Sequence, residues 1–255
     1  MLYLIGTGLS LRDIPFRAIE ISKKADRRIL ESYTSLADEL RFLESLIGKV
    51  EIATRREIEE GLDEIIRQAA SSDIAILVIG DPLAATTHYT IIHEARKQGI
   101  RVETIHAGSV FTAITNTGLM LYKFGRTISI PFKDKTELPI SVYEYIAINK
   151  NAGLHSLLLL DLDPLNNRYM DPYEAISILL ELEQHEKKGV IKQGDEIVIC
   201  SRLGLKEEKI IYISIRDLLE EKPVIGKPPY CIVLPGKISE IEKEFLEYYR
   251  FKPKN

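Results

Sequence analysis

The chain has 255 residues, enough for one large or two small domains with a sizeable core. Its 45% hydrophobic and 28% charged residues are those of an ordinary soluble globular protein, and a net charge of −4 gives no sign of a nucleic-acid or membrane-surface binder. No apolar run approaches the roughly 18 residues that a transmembrane helix needs, and Met1-Leu2-Tyr3-Leu4-Ile5-Gly6 has neither the basic region nor the length of a signal peptide, so the expected location is cytoplasmic. Cys200 and Cys231 sit in separate apolar, strand-like runs and read as buried free thiols of a reducing compartment. Neither has a nearby Cys or His, and the spacing of His88 and His93 is not that of a metal site.

Residues 2 to 5 form a short strand that runs into Gly6-Thr7-Gly8-Leu9. The dinucleotide fingerprint G-x-G-x-x-G fails at Leu11 and no P-loop Gly-Lys-Ser/Thr follows, which leaves two glycines that let a ligand approach the backbone. Asp13 and Pro15 open a helix through about Lys24. A strand over 28–31 ends at Ser32-Tyr33-Thr34-Ser35, then come a helix over 36–47 and a strand over 49–53. Over 55–71, Ile58, Leu62, Ile65, Ile66 and Ala69 at helical spacing predict one amphipathic helix. The run 74–79, rich in β-branched residues, predicts a buried strand that stops at Gly80-Asp81-Pro82. Leu83-Ala84-Ala85-Thr86-Thr87-His88 follow, then a helix over 90–98 stopped by Gly99. A strand over 100–105 ends in His106-Ala107-Gly108-Ser109-Val110.

Residues 1–112 thus alternate strand and helix, which argues an α/β lobe built on a mostly parallel, doubly wound sheet. Small-residue loops at 6–8, 80–82 and 107–109 follow three of its strands, and in a parallel sheet they can converge on the carboxyl edge, where open α/β sheets bind ligands. Beyond this the pattern is less regular. Helices are expected over 111–122, 139–149, 170–186 (with Asp171 as N-cap and Pro172 at the first helical position), 215–221 and 238–249. Strands are expected over 127–132, 156–161, 196–200, 209–213 and 230–234. This describes a second α/β lobe with a mixed sheet over 113–255, joined near residues 112–116.

Five blocks of the sequence resemble the signatures of the diphthine synthase family, in order along essentially the whole chain. They are Glu31-Ser32-Tyr33-Thr34-Ser35, Gly80-Asp81-Pro82-Leu83-Ala84-Ala85-Thr86-Thr87-His88, and Gly118-Leu119-Met120-Leu121-Tyr122-Lys123-Phe124-Gly125, followed by the stretches 153–161 and 228–237. Gly-Asp-Pro alone is shared by the wider tetrapyrrole-methylase-like superfamily; its extension through Ala-Thr-Thr-His is specific. The resemblance implies a two-lobed, class III methyltransferase-like fold and a homodimer. It also implies an S-adenosyl-L-methionine-dependent methyltransferase that acts on the amino group of the modified histidine of translation elongation factor 2, giving the trimethylammonium group of diphthine in archaea. The cofactor is then expected in the cleft between the lobes, lined by Leu9, Asp81, Ala84, Ser109, Val110, Leu160, Leu203 and Tyr230, with no metal. The chain departs from the family at Ala107-Gly108-Ser109, where Asn-Ala-Ser is frequent, and at Tyr230, where histidine is frequent after Pro-Pro.

In that reading Asp81 meets the cation-bearing methionine portion of the cofactor or positions the loop, and it is not assigned as the base. Ser109 offers a hydroxyl and a backbone donor to a carboxylate or ribose. Leu9, Val110, Leu160 and Leu203 supply apolar walls, with plain core as the lesser reading of Leu160 and Leu203. His88 is a turn, dimer or substrate residue; Tyr122-Lys123-Phe124-Gly125-Arg126 is a grip on the protein substrate or an exposed basic turn; His155 reads as structural. Two other readings stay open: a related methyltransferase acting on a tetrapyrrole or other small molecule, and a non-catalytic nucleotide-binding module.

Overall fold

In a computed structural model that describes residues 1–31, 39–136 and 138–253, the chain divides into two compact units, Met1–Ala113 with Asp163–Asn167, and Ile114–Leu162 with Arg168–Asn255. The first unit carries the strands β1 (Leu2–Gly6), β2 (Arg27–Glu31), β3 (Glu51–Ala53), β4 (Ile74–Val78) and β5 (Val102–Ile105). All are parallel, in the order β3-β2-β4-β1-β5. Alternate residues of β4 explain why both faces are covered. Ile74, Ile76 and Val78 pack with Ile58, Ile65, Ile66, Ile91 and Ala95, whereas Ala75 and Leu77 pack with Ala18, Leu43 and Ile47. These belong to α1 (Phe16–Lys24) and α2 (Leu40–Ile47) on one face, and to α3 (Arg55–Glu60), α4 (Leu62–Gln68) and α5 (Tyr89–Lys97) on the other. The expected parallel, doubly wound sheet is the observed one.

One helix expected over 55–71 is two. Glu57 caps α3 reciprocally with Thr54, and the chain breaks at Gly61, where a Cβ would lie 2.5 Å from the carbonyl oxygen of Glu57. α4 then starts afresh and ends at Gln68.

The second unit carries β6 (Ile128–Ile130), β7 (Ser156–Leu160), β8 (Glu196–Ser201), β9 (Lys209–Ser214) and β10 (Tyr230–Leu234) in the order β9-β8-β10-β7-β6. Only β6 and β7 are parallel, so the sheet is mixed, as expected. Its apolar core joins Leu158, Ile197, Ile199, Ile211 and Ile232 to α7 (Ile140–Asn151), α8 (Pro172–Glu186) and α9 (Ile215–Glu221). Asp171 caps α8 by accepting from Glu174 N at 2.9 Å. The single helix expected over 111–122 does not form. α6 (Val110–Ala113) passes into one 3-10 turn at Ile114–Thr117, Gly118 takes φ +82°, and a second 3-10 turn covers Leu121–Lys123. A side chain at Gly118 would collide with Phe245 of the last helix, α10 (Glu240–Glu247). Among the described residues no helix is long and apolar enough to cross a membrane. Cys200 and Cys231 face each other across β8 and β10 as buried free thiols.

Candidate functional site

The loops after β1, β4 and β5 meet at the carboxyl edge of the first sheet. Gly80 N donates to the Gly8 carbonyl at 2.8 Å and Gly8 N donates back to Gly80 at 3.3 Å. Gly8 and Gly80 take φ +81° and +87°, a region in which residues with a Cβ are strained. Gly6 has no room for a side chain: a Cβ there would lie 2.7 Å from the Gly80 carbonyl oxygen and 2.9 Å from both Ala107 Cβ and Pro82 Cδ. On Gly80 a Cβ would meet nothing within 4 Å, so this stretch of backbone is open to close approach.

Asp81 ties two of these loops together. Its Oδ1 accepts from Leu83 N at 2.9 Å, while Oδ2 accepts from Ala107 N at 3.2 Å and lies 2.8 Å from Nδ1 of the exposed His106. Both carboxylate oxygens are thereby engaged within the protein. Ala84 N donates to the Asp81 carbonyl at 3.2 Å, closing the turn. Ser109 is buried; its Oγ accepts from Phe111 N at 3.3 Å and starts the short helix that begins at Val110. Leu9, next to Gly8, is half-buried. Leu9, Asp81, Ala84, Ser109 and Val110 are therefore brought to one edge.

His88 stands just before α5 with its ring buried. Nδ1 lies 3.0 Å from the Pro82 carbonyl oxygen and 2.9 Å from Thr86 Oγ1, and Nε2 forms an ion pair with the buried Glu31 at the end of β2. The rest of the Glu31 block, Ser32-Tyr33-Thr34-Ser35, lies outside the described residues. Sequence reasoning gave Glu31 no role; a carboxylate directly after the apolar pair Ile29-Leu30 at the buried end of a strand is the available signal.

In the second unit, Tyr230 pairs with Ser201 and Cys231 with Leu159, which sets Leu160, Tyr230 and Ser201 at one end of three neighbouring strands. Leu203 lies in the turn just past Ser201, joined to the Pro228–Tyr230 segment through Arg202 N donating to the Pro229 carbonyl at 2.9 Å. Leu160 and Leu203 are buried, and the Tyr230 hydroxyl donates to Gly226 at 2.8 Å.

Three of the family-like blocks meet around Glu242. Its buried carboxylate accepts from Met120 N (3.0 Å), Ser239 N (2.8 Å) and Ser239 Oγ (2.7 Å), pairs with the Lys123 ammonium, and lies 3.1 Å from His155 Nε2. His155 Nδ1 accepts from Gly236 N at 2.9 Å, so Nε2 carries the ring proton. Burial alone would raise the Glu242 carboxyl pKa, but the Lys123 ammonium and the surrounding donors outweigh it and hold the group well below the usual carboxylate range. Burial pushes the His155 imidazole down against the opposing pull of Glu242. Lys123 is thus an internal anchor, while Tyr122 beside it is exposed.

The model for the Tetrapyrrole (Corrin/Porphyrin) Methylases matches residues 1–219, so the chain belongs to that family of methylases. It is 37% identical over 254 residues to the diphthine synthase of Methanocaldococcus jannaschii, covering 97% of this chain and 98% of that protein. It is 36% identical over 275 residues to the diphthine methyl ester synthase of Neurospora crassa, covering 100% of this chain and 96% of that one. A crystal structure of a diphthine synthase matches with a TM-score of 0.84 at 29% identity, over 98% of this chain and 95% of that chain. Within the family, the chain falls among the diphthine synthases.

Proposed function

We propose that the protein is an S-adenosylmethionine-dependent methyltransferase that methylates the amino group of the 3-amino-3-carboxypropyl-histidine precursor on translation elongation factor 2, giving diphthine. The observation that carries this reading is the end-to-end likeness to named diphthine synthases. The strand-end loops suit the methyl donor. Gly80 offers approachable backbone, Leu9, Ala84 and Val110 are apolar and half-buried, and Ser109 offers a hydroxyl beside them. An apolar surface with a few placed polar groups is what an adenosine requires. Leu160, Leu203 and Tyr230 are the second unit's share of the proposed binding residues.

S-adenosylmethionine supplies a methyl group already activated by its sulfonium. The residues then have to align acceptor and donor and exclude water, a contribution that reaches about 7–11 kcal/mol for well-oriented reactants. The accepting amine, with a lysine-like reference pKa near 10.4, must lose a proton before it attacks. Asp81 is not its acceptor in this reading, since both of its oxygens are already engaged in holding the loop.

Mass spectrometry of elongation factor 2 bearing the unmethylated precursor tests the reading. Incubation with the protein and S-adenosylmethionine adds methyl groups to that residue; an unchanged mass with intact methyl donor refutes it. The name of the Neurospora crassa relative favours a second product, the methyl ester of diphthine. That product carries one further methyl on the carboxylate and loses it on mild alkaline treatment, whereas the N-methyl groups survive. Homodimerisation and a cytoplasmic location are part of the same proposal. Exposed Tyr122, Ile241, Phe245 and Tyr248 on the second unit give it apolar surface to cover, and light scattering reads the mass directly.

A further inference from the structure

We infer that the buried Glu31–His88 pair is the positioning device of the methyl-donor loop: His88 clamps the Pro82–Thr86 segment and Glu31 holds His88 in place. The inference rests on the proposed function, in which Asp81 and Ala84 belong to the donor site. A carbonyl oxygen only accepts, so His88 Nδ1, 3.0 Å from the Pro82 oxygen, carries a proton and donates it there. The same nitrogen lies 2.9 Å from Thr86 Oγ1. One ring atom therefore touches both ends of a segment whose interior includes Ala84 and Ala85. Ala85 takes φ +54°, a left-handed conformation that a residue with a Cβ holds only when its surroundings fix it. Nothing in the 82–86 sequence itself, with no glycine in it, favours that turn.

The other side of the ring meets Glu31. Its carboxylate is buried at the end of β2, on the same sheet edge as the three loops, and pairs with His88 Nε2. Among the described residues neither carboxylate oxygen meets the geometry of a hydrogen bond, and the close approach of Oε2 to His88 Nε2 ties Glu31 to the loop. A buried carboxylate–imidazole pair contributes little to stability, and apolar residues of similar volume would serve the core as well or better. What the pair supplies is direction: it fixes the ring plane, and the ring fixes the Pro82 carbonyl. In this way the end of β2 sets the shape of the loop after β4.

Two side chains separate the contacts. In His88→Asn the amide falls where Nδ1 stood and can still donate to Pro82, while contact with Glu31 is lost; in His88→Gln the amide reaches Glu31 and the Pro82 bond is lost. Calorimetric titration with S-adenosylhomocysteine is done on the wild-type protein, both variants and Glu31→Gln, with melting temperatures in parallel. His88→Gln is expected to weaken binding by about tenfold, or about 1.4 kcal/mol. His88→Asn, which keeps the donor to Pro82 but is no longer held by Glu31, is expected to melt lower and to bind between His88→Gln and wild type. Glu31→Gln is expected to weaken binding by less than His88→Gln, and wild-type affinity in both His88→Asn and Glu31→Gln overturns the part assigned to Glu31. In steady state, His88→Gln raises the KM for S-adenosylmethionine and leaves kcat at saturating donor and the KM for elongation factor 2 in place; a purely structural lesion would lower kcat through the active fraction. A folded His88→Gln that binds with wild-type affinity overturns the inference while the proposed function stands. Failure of the wild-type protein to bind S-adenosylhomocysteine overturns both.

Discussion

Gly6 and Gly80 touch at the carboxyl edge of the first sheet, close enough that a single methyl group on Gly6 would sit 2.7 Å from the Gly80 carbonyl oxygen. Its other neighbours, each at 2.9 Å, are Pro82 Cδ of the same loop as Gly80 and Ala107 Cβ of the third loop. None is the free end of a flexible side chain, so all three loops must move to admit it. Gly6→Ala should therefore cost about 1–3 kcal/mol, as overpacking in a filled site does. It should also weaken S-adenosylmethionine binding. The urea midpoint and a donor titration check both; an unshifted midpoint would show that the loops move freely.

Asp81 makes its own prediction, because its carboxylate holds the backbone N–H groups of two loops, Leu83 and Ala107, and meets the exposed His106 ring beside them. Asp81→Ala leaves the N–H groups of Leu83 and Ala107 without their acceptor. Leu83 is exposed and water can replace the carboxylate there. The half-buried Ala107 N–H is the costlier loss, and the total should be about 1–3 kcal/mol. Far-UV circular dichroism should be unchanged while donor affinity falls by about tenfold, about 1.4 kcal/mol. Asp81→Asn, which keeps one acceptor oxygen, should fall between the two.

What could be read in advance was local. The buried strand Ile74–Val78 followed from its β-branched run, and the start of α8 from Asp171-Pro172. The three small-residue loops were legible because parallel strands put their carboxyl ends on one edge. The breaks at Gly61 and Gly118 were not, since an isolated glycine within a helical pattern costs only about 1 kcal/mol and is often tolerated. At Gly118 it is Phe245, distant in the sequence, that leaves no space for a side chain. The buried pairs were hidden for the same reason: His155 and Glu242 are 87 residues apart, and no periodicity connects them.

Asn149 shows how one buried amide can hold a family-like block in place. Its Oδ1 accepts from Arg126 N at 3.0 Å, and Nδ2 donates to the Arg126 carbonyl at 2.8 Å and to Ser156 Oγ at 3.0 Å. Gly125 has no side chain because Asn149 fills that space. Asn149→Leu keeps the volume and removes every one of these bonds. Each buried polar group left bare costs about 1–3 kcal/mol, so a lower melting temperature is expected, with S-adenosylhomocysteine affinity retained in the folded fraction. Wild-type stability in Asn149→Leu would mean that Arg126 finds other partners at no cost.

The Glu242 cluster makes the second unit sensitive to acid. The carboxyl of Glu242 is depressed in the folded chain, so its stabilising contribution is complete above the unfolded value near 4.3 and is lost as pH falls through the lower folded one. His155 works in the same direction. Its folded pKa lies below the unfolded value near 6.5, so the unfolded chain takes up the proton first and stability falls as pH drops below that point. Stability in urea should therefore be level above pH 7 and decline on acidification, first through His155 and then through Glu242. Glu242→Gln strands the Lys123 ammonium and bares part of the donor set, which should cost about 3–5 kcal/mol at pH 7, the magnitude for breaking a buried pair. The gap between wild type and Glu242→Gln should then narrow as pH falls well below 4. A gap of equal size at pH 7 and pH 3 would mean that the Glu242 charge takes no part in holding Met120, Lys123 and Ser239 together.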